Sequence, residues 1–180
     1  MVINMDDDIS QYFERHVGPV SPRQLLGIVS DDPPIAVRVV PAGPGRDYVT
    51  LFTIGMSRRP MIVPSGQDDY RFAELFIQLP PWWPLAPKEL IDQNCVWPIH
   101  WLRQLAVYPH AAGTWLGGPV TIIANGDPPL PLAPEVPFSS FIRQPVAARI
   151  SWPQPSWTSS LSATTGQSVR LGSFRKSCVS

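Results

Sequence analysis

The sequence lacks an excess of charge of either sign, because 14 acidic residues balance 14 basic ones. Generic nucleic-acid binders and proteins that bind anionic membranes carry a surplus of lysine and arginine, so we expect neither nucleic acid nor a membrane as a partner. The chain also has no run of about 18 apolar residues, which predicts no transmembrane helix. Residues 1–10 are acidic and lack the features of a secretory signal. We therefore expect a cytoplasmic protein.

Histidine and cysteine are scarce, with three and two residues. No pair of them has the spacing of metal ligands. Cys95 and Cys178 could pair, but free thiols in a reducing cytoplasm are the simpler interpretation. Phosphate-binding loops, dinucleotide fingerprints and nucleophile elbows are also missing from the sequence. We expect no metal, no cofactor, no catalytic residue and no small-molecule substrate.

Proline, in contrast, is abundant, with 23 residues in 180, more than twice the average usage of about 5%. The prolines separate apolar segments, as at Pro80–Pro81 and Pro128–Pro129. Short PxxP segments would suit a partner that reads proline-rich chains, but the flanking tryptophans and leucines favour packed connectors. The prolines thus indicate rigid connections within a folded domain.

The segment Asp69–Pro81 has the strongest strand pattern in the chain. Its alternate residues are apolar on both faces, with one face formed by Ala73, Leu75, Ile77 and Leu79 and the other by Tyr70, Phe72 and Phe76. A strand that buries both faces belongs in the middle of a sheet that is covered on each side. The double proline ends the strand, because neither proline can donate a ladder hydrogen bond.

Other segments supply helices and further strands. Apolar residues at helical spacing predict a helix over Asp8–His16 and another over Trp97–Tyr108, with Pro98 in the first turn of the second helix and Pro109 ending it. Strand patterns occupy residues 35–40, 48–56, 120–124 and 138–142. Short connections favour an antiparallel hairpin of the first two strands, with the strand Asp69–Pro81 pairing next.

The composition changes towards the C-terminus. Acidic residues are absent after Glu135, and 11 of the 42 residues from Ser139 to Ser180 are serine. Only Ser168–Phe174 retains a weak strand pattern. We predict a domain over residues 1–142 and a serine- and arginine-rich tail over residues 143–180. The tail is either disordered or the product of a shifted reading frame, which would leave the domain incomplete at its C-terminus.

Carboxylates are the best candidates for catalysis, in particular Glu74 and Asp127. A carboxylate in a sheet is costly unless it is paired, so the favoured interpretation of Glu74 is an ion pair with Arg58, Arg59 or Arg71, or a position at the rim of the sheet. An enzyme would need Glu74, Asp127 and a histidine to converge in one pocket.

Five blocks of the sequence, in this order, resemble the suppressor-of-fused domain family, and its compact bacterial members in particular. The blocks are GMSRRPMIVP (Gly55–Pro64), DYRFAELFIQLPPWWPL (Asp69–Leu85), WPIHWLRQLAVYPH (Trp97–His110), TWLG (Thr114–Gly117) and NGDPPLPLAPEVPF (Asn125–Phe138). The resemblance covers roughly residues 5–142. It implies an α+β fold in which a mixed, largely antiparallel β-sheet is flanked by helices, and we expect a poorly structured C-terminal tail to follow it.

The resemblance also implies a protein-binding role without catalysis. Animal members bind and restrain a transcription factor, and bacterial members are often immunity proteins that bind and neutralise a cognate toxin. In the animal protein an acidic loop position contributes to partner contact, and Asp68 or Asp69 is its nearest counterpart here.

We predict a partner-binding site with Asp68, Asp69, Tyr70 and Trp82. Trp82 is included because Trp82 and Trp83 are neighbours that cannot both face one core. The sequence departs from the family pattern after Phe138, so a truncated, non-functional remnant is an alternative, as is an enzyme that uses the two carboxylates.

Overall fold

The computed structural model describes residues 5–25, 33–117, 121–145 and 168–175. These described residues form two helices and six strands. In chain order they are α1 (Met5–His16), β1 (Ala36–Val40), β2 (Val49–Ile54), β3 (Ala73–Leu79), α2 (Gln93–Ala111), β4 (Thr121–Ala124), β5 (Ser140–Pro145) and β6 (Ser168–Arg175). Short 3-10 turns lie at Met56–Arg58, Asp68–Tyr70 and Glu89–Ile91. Among the helices of these residues, none is long and apolar enough to cross a membrane.

The strands form one sheet in the order β1-β2-β3-β6-β5-β4. Every pair is antiparallel except β5 and β6, which are parallel. The predicted hairpin and the position of β3 beside it are confirmed, with Val39 opposite Leu51 and Leu51 opposite Ile77. The predicted α+β class and mixed, largely antiparallel sheet are confirmed as well.

Strand β3 is buried on both faces, as its sequence pattern predicts. Leu75 and Ile77 lie in the large core that α2 covers, and Phe76 lies in a smaller core under α1. In the smaller core the rings of Phe13 and Phe52 stack at 3.8 Å between centroids. Helices α2 and α1 therefore cover β3 from opposite sides. Each fully buried side chain of this kind stabilises the fold by about 1.5–3 kcal/mol.

Strand β3 begins at Ala73, four residues after the predicted start at Asp69. Residues Asp68–Tyr70 form a 3-10 turn instead. Tyr70 and Phe72 therefore do not belong to the second face of β3. Two consecutive aspartates favour a turn over a strand because their side chains compete for backbone hydrogen bonds.

Helix α2 begins four residues before the predicted start and ends three residues after the predicted end. Asp92 caps it by accepting a hydrogen bond from the backbone N–H of Asn94 at 2.8 Å. Pro98 and Pro109 both lie inside the helix, so the predictions that they occupy its first turn and end it are wrong. The chain leaves the helix at Gly113, whose φ of 61° suits glycine.

The C-terminal strands extend the sheet beyond β3. Strand β5 runs past the predicted boundary at residue 142, and β6 coincides with the weak strand pattern of Ser168–Phe174. Residues 146–167 and 176–180 lie outside the described part of the chain, and so does most of the predicted tail. The division into a domain over 1–142 and a tail over 143–180 stays a prediction.

Candidate functional site

The predicted acidic loop forms a compact turn at the entry to β3. Gly66 has a φ of 80°, and the backbone N–H of Tyr70 donates to Gln67 O at 2.9 Å. Asp68 and Asp69 are both exposed, and an oxygen of Asp68 lies 3.6 Å from an Arg71 nitrogen. An exposed pair of this kind contributes little to stability. The turn presents its carboxylates to solvent on a hydrogen-bonded backbone.

Apolar side chains lie next to this turn. The ring of Tyr70 contacts Trp115 edge-on at 5.5 Å between centroids. The backbone N–H of Met61 donates to Arg71 O at 2.7 Å, so Ile62 follows a residue that is bonded to the C-cap of the turn. Ile62 is 67% exposed, as large apolar side chains at contact sites often are. We call Ile62, Asp68, Asp69, Tyr70 and Trp115 together the acidic turn surface.

Trp82 lies elsewhere. It follows β3, whose seven residues span about 20 Å, so it is separated from the acidic turn by the length of the strand. Trp82 is 74% exposed, whereas Trp83 is half-buried and donates its indole N–H to Cys95 O at 3.0 Å. The predicted division of the two tryptophans is confirmed. The four predicted binding residues thus form two surfaces, and their role in binding stays a prediction.

Glu74 is buried, with 1% of its surface exposed. Its Oε1 accepts hydrogen bonds from the backbone N–H groups of Gly55 and Ser57, both at 3.0 Å, and from the Ser57 hydroxyl at 2.7 Å. Its Oε2 accepts from the Thr53 hydroxyl at 2.7 Å. Burial raises the pKa of this carboxyl, and the hydrogen bonds oppose that shift.

The predicted arginine partners of Glu74 are wrong, and so is the alternative position at the rim. Arg58 pairs with Asp6 and Arg71 with Asp68, while the bonds to Glu74 come from hydroxyls and backbone. A turn that follows β2 can supply several N–H groups at once, which removes the need for a countercharge.

The carboxylate-enzyme alternative also fails on geometry. Strands β3 and β4 are parallel to each other and separated by β6 and β5, three strand spacings or about 14 Å. Glu74 lies near the start of β3, whereas Asp127 is exposed beyond the end of β4. The two carboxylates therefore lie at opposite ends of the sheet. Within the described ranges no group of three histidine, cysteine or acidic residues could hold a metal ion.

Sequence reasoning missed Ile62 and Trp115. Both lie outside regular secondary structure, so no periodicity marks them as exposed or buried. Their place beside the acidic turn depends on the hydrogen bond from Met61 to Arg71 and on the ring contact with Tyr70. Contacts between residues distant in sequence are not visible in a local pattern.

The two helices and the mixed six-stranded sheet define an α+β domain. The profile of the family described as Suppressor of fused protein (SUFU) matches residues 31–170, and the chain belongs to this family. The SUFU family is a regulatory, protein-binding family that is not known for enzymatic activity. No curated protein and no solved structure matches the chain at a significant level.

Proposed function

We propose that this protein is a cytoplasmic immunity protein of a bacterial toxin system, which binds a partner toxin and neutralises it without catalysis. The observation that carries the proposal is the acidic turn surface, where two exposed carboxylates lie beside exposed and half-buried apolar side chains. Membership of a protein-binding family supports a protein as the partner.

The chemistry of the surface favours a basic partner. Asp68 and Asp69 would attract a positively charged protein and speed its association. Tyr70 and Trp115 belong to the residue types that most often dominate binding energy when an interface buries them. Many toxins act on nucleic acids, and a protein that binds a polyanion carries a surplus of lysine and arginine. The acidic turn surface is complementary to such a toxin.

The test is co-purification with the product of a toxin gene encoded beside this one, followed by calorimetry at two salt concentrations. Replacing both aspartates (Asp68→Asn and Asp69→Asn) should weaken binding by about tenfold or more at low salt and by less at high salt. Asp7→Asn with Glu14→Gln is the matched control, because both residues are exposed acids on α1 and the pair removes the same two charges.

Two outcomes would contradict the proposal. One is the absence of a complex with the neighbouring toxin. The other is an equal loss of affinity in the control with Asp7→Asn and Glu14→Gln, which would attribute the effect to net charge. Trp82→Ala distinguishes between the two predicted surfaces. A loss of affinity in this variant and not in the aspartate variants would place the interface at the other end of β3.

A further inference from the structure

Strand β4 forms one edge of the sheet, and no residue that the structure describes pairs with its outer side. The opposite edge strand, β1, is covered. The backbone N–H groups of Ser21 and Leu25 donate to Val39 O at 2.8 Å and to Val37 O at 2.9 Å. An uncovered edge presents unpaired N–H and C=O groups to any strand that can align with it. The two edges of this sheet therefore differ in their capacity to bind another chain.

The hydrogen bonds between β4 and β5 show which groups face outward. The backbone N–H of Asn125 donates to Ser139 O at 2.9 Å, and these two residues lie directly opposite each other in the register of the two strands. Bonded and non-bonded pairs alternate along an antiparallel ladder. Ile123 therefore bonds to β5, whereas the N–H and C=O groups of Ile122 and Ala124 point away from it. Both of these residues are exposed, so the outer edge is accessible to a partner.

Strand β4 has neither charge nor proline to prevent pairing with another strand. Its sequence is TIIA, and charged residues and proline are the usual means of protecting an edge. Ile122 is 66% exposed, so an apolar side chain lies beside the unpaired backbone groups. The four residues of the strand bury less than the about 1,600 Å² of a standard interface. We therefore expect a weak contact that depends on concentration.

A second copy of β4 is complementary to this edge. Consider an antiparallel pair in which Ile123 lies opposite Ile123 of the second copy. Ile122 of each copy then lies opposite Ala124 of the other. These two pairs are of the bonded type, and each exchanges two hydrogen bonds, so the outward N–H and C=O groups of both residues find partners. The arrangement has two-fold symmetry, which is the commonest symmetry of protein oligomers.

We propose that the protein forms a dimer in which β4 pairs with β4 of a second copy, so that the two sheets become continuous. The 14 acidic and 14 basic residues balance, and two copies therefore have no net charge repulsion to overcome. The edge has no charge that would select a basic toxin instead. Because the edge at β1 is covered, the association closes at two copies. This inference is independent of the proposed function.

The first test is sedimentation of the full chain over a series of concentrations, where we expect an equilibrium between monomer and dimer. Ile122→Lys should weaken dimerisation by at least about tenfold, because it places two like charges at diagonal positions across the pair. Ile91→Lys is the matched control. Ile91 is 83% exposed but lies in the turn before α2, so this variant should dimerise as the wild type does.

Three results of sedimentation would contradict the proposal. They are a chain that stays monomeric at every concentration, an equal loss of dimerisation in both variants, and assembly into species larger than a dimer. If the chain is monomeric and Ile122→Lys loses affinity for the toxin, the edge belongs to the toxin and not to a second copy.

Disulfide cross-linking tests the register without adding charge, with Cys95→Ser and Cys178→Ser as background. Ile123→Cys should form a linked dimer under mild oxidation, because opposite residues of a non-bonded pair have Cα atoms about 4.5 Å apart. Ile122→Cys should link at least about tenfold less, because its two copies lie diagonally at about 7–8 Å, at the limit of a disulfide. Equal linkage of the two variants, stronger linkage through Ile122→Cys, or no linkage in either would overturn the proposed pairing.

Discussion

Glu74 accepts two hydrogen bonds from a single residue, Ser57, whose backbone N–H lies 3.0 Å and whose hydroxyl lies 2.7 Å from the same carboxylate oxygen. With the bonds from Gly55 and Thr53, the carboxylate connects β3 to the turn that follows β2. A buried carboxylate is tolerated when donors surround it in this way.

The turn that Glu74 holds contacts both helices. The backbone oxygen of Met56 lies 3.1 Å from Nε2 of His110 near the end of α2. Arg58 at the end of the turn forms an ion pair with Asp6 in the first turn of α1. One side chain in the middle of the sheet therefore fixes a turn on which the two opposite layers converge. Loss of the hydrogen bonds of Glu74 should therefore weaken the packing of both α1 and α2 against the sheet.

Replacement of Glu74 by alanine should strongly destabilise the domain. It removes the acceptor of the buried N–H groups of Gly55 and Ser57 and of the Ser57 hydroxyl, and we expect the free energy of unfolding to fall by at least about 3 kcal/mol. Glu74→Gln is the matched variant, because its amide oxygen can still accept from Ser57 and its NH₂ can donate to Thr53 Oγ1. We expect a loss of about 1 kcal/mol for glutamine. Urea unfolding of the two variants checks this, and equal losses would contradict it.

Stability should depend on pH through the same residue. Burial raises the folded-state pKa of Glu74 above its ordinary value of 4.5, so between these two pKa values the folded state binds more protons than the unfolded state. The contribution of Glu74 to the free energy of unfolding therefore decreases as pH rises from 4.5 through the folded-state pKa, and this contribution is constant at higher pH.

Denaturant titrations of the wild type and of Glu74→Gln at a series of pH values isolate this contribution, because all other titrating groups are shared. The wild type should lose stability relative to the glutamine variant as pH rises through this range. A constant difference, or a gain by the wild type, would show that the hydrogen bonds outweigh burial and that the pKa is not raised.

Local sequence patterns were sufficient to predict that the sheet of this fold is covered on both faces. The alternation in Ala73–Leu79 predicts a strand buried on both faces, and the faces separate as expected between Ile77 and Phe76. The pattern could not locate the start of β3, because the predicted strand begins at Asp69, whereas Asp68–Tyr70 form a turn of their own. Alternation reports which residues face a core, whereas the ends depend on backbone hydrogen bonds.

Pro98 and Pro109 show a second limit. Proline in a helix interior removes a hydrogen bond and costs about 3 kcal/mol, so the sequence predicts a helix that has Pro98 in its first turn and ends at Pro109. Both residues are buried in α2, where packing against the sheet offsets this cost. The insertion of β6 between β3 and β5 also has no local signal, because it pairs residues about 100 positions apart with a segment whose own pattern is weak.

Only part of the candidate site could be predicted, because contacts between residues distant in sequence leave no local signal. The family resemblance indicates Asp68 and Asp69, and the pair of adjacent tryptophans indicates Trp82, but their separation along β3 and the approach of Trp115 to Tyr70 require the fold. The partners of Glu74 were missed because two of its donors are backbone N–H groups. Every residue except proline has such a group, so residue types give no indication of it.

Gly55 should tolerate no side chain, although a comparable glycine elsewhere does. Its φ is 121°, and a Cβ there would lie 2.2 Å from the backbone oxygen of Pro34. Gly66 has a φ of 80° but open space around it. Gly66→Ala should therefore cost only the left-handed backbone penalty of about 1–2 kcal/mol. Gly55→Ala adds a clash with backbone and shifts an N–H that Glu74 needs, and we expect a loss of at least about 3 kcal/mol.

Thermal and urea unfolding of Gly55→Ala and Gly66→Ala measure the difference directly. If the two variants lose equal stability, the Pro34 carbonyl moves aside at no cost and the segment after β2 is less rigid than its hydrogen bonds to Glu74 indicate.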